Sequence, residues 1–243
     1  MRTLSARSVV LSLLLGAHPP ELPASALVQA GELFDITEPT LRVALSRMVA
    51  SGDLERTEST YRLSNRMLER QRLQDDALDP ADDSGWDGSW EMVVVTSTGR
   101  SAADRAGLRS TLTDLRLAEL REGTWLRPAN LRRRLPAWST ELISTFRSTP
   151  AEDPAALASR LWDLADWNRT ATHLLEDIAE ARTGAERLAV AAAVVRHLRT
   201  DPCLPAVLLP PGWQEPALRR AYAAYQDELI ATGLALQVSP PGA

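Results

Sequence analysis

The most constraining stretch of this sequence is a helix with both of its ends written into it. Thr37 stands where an N-cap belongs, Pro39 falls in the first turn and Gly52 follows the last helical position, so Glu38–Ser51 is predicted as one helix. Leu41, Ala44, Leu45 and Met48 recur on one stripe, which must be buried. Two short strands follow at once, Leu54–Thr57 and Thr60–Ser64, around a turn at Glu58-Ser59. Upstream, Ser5 caps a helix with Val9, Val10, Leu13 and Leu14 at helical spacing, ended by Gly16 and Pro19-Pro20. Ala24–Leu33 is a second helix with Leu27, Val28 and Leu33 on one side, and Phe34-Asp35-Ile36 makes a turn. Helix, helix, turn, helix, hairpin is the order of a winged helix-turn-helix domain. It is assigned to residues 1–75, closed by a short helix at Asn65–Leu73.

The unburied side of the third helix carries Pro39, Thr40, Arg42, Val43, Ser46, Arg47 and Ala50. Small residues with two cations suit close approach to a major groove. The helix N-terminus at Thr37 offers backbone N–H groups to a phosphate. The hairpin adds Arg56, Ser59, Thr60 and Arg62, with Tyr61 between them. Thr37, Pro39, Thr40, Arg42, Val43, Ser46, Arg47, Arg56, Ser59, Thr60, Tyr61 and Arg62 therefore form the expected contact set for double-stranded DNA. The formal net charge is −5, so bulk charge does not drive such binding. Between Arg42 and Arg72, however, seven Arg face only Asp53, Glu55, Glu58 and Glu69, a local +3.

All 27 basic residues are Arg. Without Lys, a phosphate-binding loop of the Walker type, a pyridoxal-phosphate or Schiff-base enzyme and a protein kinase are excluded. Cys203 is the only cysteine, which rules out an intramolecular disulfide and a Cys-rich zinc site and fits the cytoplasm. His18, His173 and His197 are scattered, and although His173 and Asp177 share a helix face, a catalytic metal needs three ligands. No catalytic residue, metal site or cofactor is expected. Arg2, Arg7, the run Val9–Leu15 and Pro23-Ala24-Ser25-Ala26 resemble a secretory signal, but cleavage there would remove a helix that the next segment needs. The run is read as a buried first helix, and no apolar stretch is long enough for a membrane span.

An acidic linker, 75–85, separates the second block. A calcium loop starting at Asp83 would need an acid at position 12, where Val94 stands. From Trp86 to Pro150 the pattern predicts a strand at Trp90–Thr96, a helix at Ser101–Leu120, a strand at Gly123–Arg127, a turn or short helix at Asn130–Leu135 and a strand at Ser139–Arg147. This suggests a ferredoxin-like α/β plait over 86–150, with a further helix and a fourth strand supplied downstream. Residues 151–243 are predicted to form a helical C-terminal domain, with helices at Pro154–Asp163, Trp167–Ala181, Glu186–Leu198 and Glu215–Thr232. The class is α+β. Trp125, Arg127, Arg132, Arg133 and Arg134, with Trp138, Trp162, Trp167 and Trp213 around them, could hold an anionic aromatic ligand through guanidinium pairing. Taken singly, each of these residues reads more readily as a core or subunit-interface anchor than as a ligand contact.

The string Ser5-Ala6-Arg7-Ser8-Val9, followed by Thr40-Leu41-Arg42-Val43-Ala44-Leu45-Ser46-Arg47-Met48-Val49-Ala50-Ser51-Gly52, resembles the winged helix of the phenylacetic-acid degradation repressor family, the PaaX-type regulators. Gly123-Thr124-Trp125-Leu126-Arg127-Pro128 resembles that family's second-domain strand, and Asp201–Trp213 its C-terminal signature. The resemblance covers about residues 4–232. It implies three domains and a homodimeric repressor released from operator DNA by an aryl-CoA thioester, typically phenylacetyl-CoA. The middle domain also resembles CRISPR-associated ferredoxin-like nucleases, whose metal-binding carboxylate ends the first strand. Here that place reads Val94-Val95-Thr96-Ser97, without an acid. A metal-dependent nuclease and a winged-helix protein-interaction module are the alternatives to a DNA-binding regulator.

Overall fold

A computed structural model describes residues 5–17, 19–32, 34–78, 85–97, 99, 101–131 and 141–238. Ser5 opens the first helix by accepting the Ser8 N–H at 3.2 Å. That helix, α1 (Ala6–Gly16), has Val9, Val10 and Leu14 wholly inaccessible to solvent. Each such burial stabilises by about 1.5–3 kcal/mol. The strand β1 (Glu21–Pro23) leads directly into α2 (Ala24–Glu32), and α3 (Glu38–Ala50) follows a turn in which Asp35 is left-handed. The hairpin β2 (Leu54–Thr57) and β3 (Thr60–Leu63) and the helix α4 (Asn65–Leu78) come next.

The sheet order is β1-β3-β2, all antiparallel, with Glu21 opposite Arg62 and Pro23 opposite Thr60. β1 was not legible in the sequence. It is three residues long beside two prolines, and its partner lies some forty residues downstream. As an edge strand it tolerates Pro23. The helix α4 runs on to Leu78, into what composition marks as linker.

Two glycines fix the placement of α3. At Gly31 a Cβ would stand 2.8 Å from the Leu41 Cδ1, so any larger residue there must displace the end of that buried side chain. Gly52 (φ +72) ends α3 in a Schellman motif, in which its N–H donates to the Val49 carbonyl and the Asp53 N–H to the Met48 carbonyl. The next carboxylate is the electrostatic centre of this part of the molecule. Asp53 is 2% exposed and accepts from Arg7 of α1 at 2.9 Å, Arg66 of α4 at 2.5 Å and the Ser51 hydroxyl at 3.0 Å. Burial alone would raise its pKa. The hydrogen bonds from Arg7 and Ser51 and the charges of Arg7 and Arg66 outweigh that and hold it below the usual carboxylate range. Gln71 of α4 donates to the Leu15 and Ala17 carbonyls at 3.1 and 3.0 Å, satisfying the end of α1.

The chain divides into two compact units. The first holds the described residues within 1–78, 170–199 and 214–243, and the second those within 79–169 and 200–213. The expected helical block 151–243 is therefore not one body, because the division falls inside α7 (Leu164–Glu180), after Arg169. In the first unit, α8 (Gly184–Leu198) and α9 (Glu215–Val238) join the N-terminal helices, and Leu188 and Tyr225 pack on the core formed by Val9, Leu27, Leu41 and Leu45.

The second unit is built on β4 (Trp90–Val95), α5 (Ala102–Asp114), β5 (Ala118–Arg121), β6 (Thr124–Pro128) and β7 (Ile143–Ser148). Its antiparallel order β5-β6-β4-β7 is the strand order of a ferredoxin-like plait. The expected short helix at Asn130–Leu135 lies largely outside the described residues. Alternate residues of β4 serve opposite faces, as a strand requires. Val93 packs with Leu108, Leu112 and Trp125 under α5. Trp90 packs on the other face with Leu157 of α6 (Pro154–Leu161) and with Leu204 and Leu208 around a 3₁₀ turn at Ala206–Leu208.

The fourth strand is β5, inside the segment read as helix, and not downstream of it. Arg116 adopts a left-handed conformation (φ 62) that ends α5, and Ala118 then pairs with Leu126. Leu115 and Leu117 fit either period, and the pairing with β6 decides. No helix among the described residues is long and apolar enough to cross a membrane.

Gly31→Val pushes the buried Leu41 side chain out of its place and should destabilise the protein by about 1–3 kcal/mol, read in a thermal melt. Asp53→Asn should cost about 1–3 kcal/mol at neutral pH. Because the folded pKa of Asp53 lies below its unfolded value of about 3.9, its contribution is complete above that value and is lost as pH falls through the lowered one. The stability gap between wild type and Asp53→Asn should therefore close on acidification, measured by denaturant titrations between neutral and strongly acidic pH.

Candidate nucleic-acid interface

The buried stripe of α3 is Leu41, Leu45 and Met48, at 0%, 1% and 1% exposure, which fixes the face that remains outside. On that face Thr37, Pro39, Thr40, Arg42, Val43, Ser46, Arg47 and Ala50 are all exposed. Val43 is 51% exposed, an apolar methyl surface in a polar setting. Thr37 occupies the N-cap position, but its hydroxyl pairs with that of Thr40 at 2.9 Å and gives no side-chain cap. The first-turn N–H groups of α3 are thus left without a side-chain acceptor at the cap.

The arginines of this surface are held loosely. Arg42 pairs with Glu38 one turn back, its Nε donating at 2.7 Å, with both side chains exposed. Arg62 donates its Nε to Glu55 across the hairpin at 2.9 Å. The Arg56 Nε donates to the Glu58 carbonyl at 3.1 Å while its guanidinium lies over the Tyr61 ring, 5.8 Å from the centroid. Such exposed contacts are worth about 0–1 kcal/mol and exchange readily for another anion. The Arg47 side chain makes no hydrogen bond or ion pair among the described residues. Glu38 and Glu55, as partners of the cations, were not singled out from sequence, although Glu38 lies at i,i−4 from Arg42.

Ser59 is exposed and Thr60 half-buried at the hairpin tip. Tyr61 departs from expectation. It is 7% exposed and belongs to the core, because β3 alternates and Tyr61 and Leu63 point inward while Arg62 points out. It cannot present its ring to DNA and instead supports Arg56.

The expected ligand residues of the second unit are also placed inside. Trp125 is 4% exposed in the core under α5, with Arg109 over its ring at 5.7 Å. Arg127 is wholly buried. Its Nε donates to the Pro128 carbonyl at 2.9 Å, and its Nη2 donates to the Asn130 Oδ1 at 2.9 Å and the Cys203 carbonyl at 3.3 Å. Asn130 donates to the same Cys203 carbonyl at 3.0 Å. Arg127 therefore ties β6 to the 200–213 segment and is out of reach of a phosphate in solvent. Arg132, Arg133, Arg134 and Trp138 lie outside the described residues. Trp167 stacks on Trp213 with centroids 4.4 Å apart, and Trp162 packs against Trp90, so three of the remaining expected aromatics act as packing surfaces.

Among the described residues no group of three or more His, Cys, Asp or Glu could hold a metal. Asp87, which falls within the stretch tested against a calcium loop, accepts the Ser89 N–H at 3.0 Å and pairs with Arg147. The Ser89 hydrogen bonds lower its pKa first, and the Arg147 charge adds to them.

These features define a mixed helix-and-sheet protein that displays an arginine-bearing helix beside a three-stranded sheet. The comparisons narrow that class. Residues 5–67 match the PaaX-like protein family, and residues 83–149 match the PaaX protein central Cas2-like domain. Among solved structures, the uncharacterized protein Rv0674 from Mycobacterium tuberculosis is 47% identical over 96% of this chain and 99% of its own, with a TM-score of 0.88. A comparison with curated proteins finds no match. The chain belongs to the PaaX-like family, and with it to a class of transcriptional regulators.

Arg127→Ala should destabilise the protein by about 1–3 kcal/mol for each acceptor it orphans, the Pro128 carbonyl and the Asn130 Oδ1, the Cys203 carbonyl keeping Asn130 as donor. A ligand-contact arginine at the surface would cost less than about 0.5 kcal/mol. A denaturant titration of the variant decides between the two roles.

Proposed function

We propose that this chain is a sequence-specific DNA-binding transcriptional regulator, acting in the cytoplasm as a repressor. Its first 75 residues are read as a winged helix-turn-helix. α2 and α3 form the helix pair, α3 enters the major groove, and the β2–β3 hairpin is the wing on the adjacent backbone. The observation that carries this reading is the outward face of α3. There small residues surround Arg42 and Arg47, the latter without a partner among the described residues, opposite a fully buried stripe. The uncapped first turn of α3 suits a phosphate, and Arg56 and Arg62 suit the backbone beyond it. The family membership supports the same reading.

The protein is proposed to act as a homodimer on a palindromic operator, with half-sites about one helical turn apart or a multiple of it. A small effector such as an aryl-CoA thioester, phenylacetyl-CoA first among them, releases it. Arg132, Arg133 and Arg134 are the proposed contacts to the CoA phosphates. A regulator of this kind has no catalytic step.

The test is a gel shift on the protein's own promoter. Arg42→Ala and Arg47→Ala should each weaken binding. A guanine-edge contact costs about 1–3 kcal/mol at one base position, whereas a phosphate contact weakens all sequences alike and flattens the salt slope by about 1. Full binding by both variants overturns the assignment of α3. Phenylacetyl-CoA should lower operator affinity by roughly 5- to 150-fold, the usual span of allosteric coupling.

A further inference from the structure

The outward face of α3 has an internal order. Successive residues of an α-helix turn by about 100°, so Val43 and Ala50 stand opposite the buried stripe of Leu41, Leu45 and Met48. Pro39 and Ser46 lie beside them, and all four are exposed. Arg42 and Arg47 do not share this line. Set five positions apart, they leave the helix about 140° from one another, one on each side of the row. The face is therefore a row of small side chains between two cationic margins, and Val43, 51% exposed, is its large apolar member.

The row is short of hydrogen-bonding groups. Pro39, Val43 and Ala50 have none on their side chains, and the Ser46 hydroxyl donates its proton back to the Arg42 carbonyl at 3.0 Å. Nothing on this line makes the two-point contacts by which Arg, Asn or Gln read guanine and adenine. What it offers a base edge is methyl surface. The group that answers it in the major groove is the C5 methyl of thymine. The margins fix the occupant. A helix with its side chains is roughly 10–12 Å across, and the major groove of B-DNA is about 12 Å wide. With Val43 toward the groove floor, Arg42 reaches toward one wall of phosphates and Arg47 toward the other. A protein surface covering Val43 would strip water from both cations, whereas the two strands of a duplex supply a counter-charge on each side.

We propose that Val43 is the specificity-determining residue of this surface, reading the C5 methyl of a thymine while Arg42 and Arg47 hold the backbones of the two strands. The proposal rests on the regulator reading above and adds a base identity to it. On this assignment the two arginines supply affinity without sequence preference, and Val43 supplies preference with little affinity. Arg42 leans only on the exposed Glu38, and Arg47 makes no ion pair among the described residues, so both are free to turn to phosphate without a change in the fold.

The test selects duplexes from a randomised library with the full chain. Each thymine of the selected duplex is then replaced, one at a time, by deoxyuridine, which lacks only the C5 methyl, and affinity is read by fluorescence anisotropy. At one position, or at it and its symmetry mate, the replacement should weaken binding about fourfold, the worth of burying one methyl group. Val43→Ser removes both methyls at an exposed position and should leave the thermal melt unchanged. It should also bring the thymine-to-deoxyuridine affinity ratio at that position to one, as a double-mutant cycle requires. Arg47→Ala should weaken both duplexes alike and keep the ratio at about four. If no deoxyuridine replacement matters, if the ratio survives in Val43→Ser, or if it is lost in Arg47→Ala, the proposal is overturned while DNA binding stands. Selection of no preferred duplex overturns the regulator reading, and the proposal with it.

Discussion

The N-terminal part of this molecule turns on one buried carboxylate. Asp53 follows the glycine that ends α3, and the backbone reversal there leaves its side chain between α1 and α4. A charge so far from water would be costly alone, but two guanidiniums and a hydroxyl compensate it. The two arginines remain mostly exposed, so only one partner of the cluster is desolvated. The result is a directional joint where apolar contact alone would allow sliding. It sets α1, α4 and the root of the hairpin relative to the C-terminal end of α3. The exposed face of α3 and the hairpin therefore keep a fixed relation, as the proposed DNA-binding surface requires.

The arginines fall into distinct physical roles that their shared chemistry hides. Arg127 is enclosed, and carbonyl groups and an amide oxygen take up its donors, so it works as a strut between β6 and the proline-rich segment. Arg7 and Arg66 neutralise a buried acid from its rim. Arg42, Arg56 and Arg62 rest in exposed, exchangeable contacts, and Arg47 has no partner among the described residues. Only the last two kinds can meet a polyanion without first breaking the fold. In a chain whose every cation is Arg, a local excess of positive charge locates a surface, but burial decides which residues belong to it.

Much of the candidate surface was legible because its signals are local. The Pro39 and Gly52 punctuation bounds α3, and the stripe of Leu41, Leu45 and Met48 names its outward residues by elimination. Tyr61 was misplaced for a reason equally local. Tyr61 and Arg62 are neighbours on opposite faces of β3, and the sequence does not say which face the core takes. β1 and β5 escaped because each is three or four residues long and is a strand only through its partner, β3 in one case and β6 in the other.

What the sequence determined by itself, then, is whatever a few consecutive residues can settle: the Ser5 cap of α1, the span of α3 between Thr37 and Gly52, the alternation of the strong Val-rich strand, the excluded chemistries and the side of α3 that faces out. What the tertiary structure alone decided is everything that needs a distant partner. Asp53 is an ordinary acid until Arg7 and Arg66 converge on it, and Arg127 looks like an anion contact until the Cys203 carbonyl closes over it. The later helices look like a domain of their own until Leu188 is found in the core of the first unit and Tyr225 packed against it. The physical reason is the same each time. Periodicity and capping are properties of neighbouring backbone, whereas burial, pairing and charge compensation depend on groups that folding brings together from far along the chain.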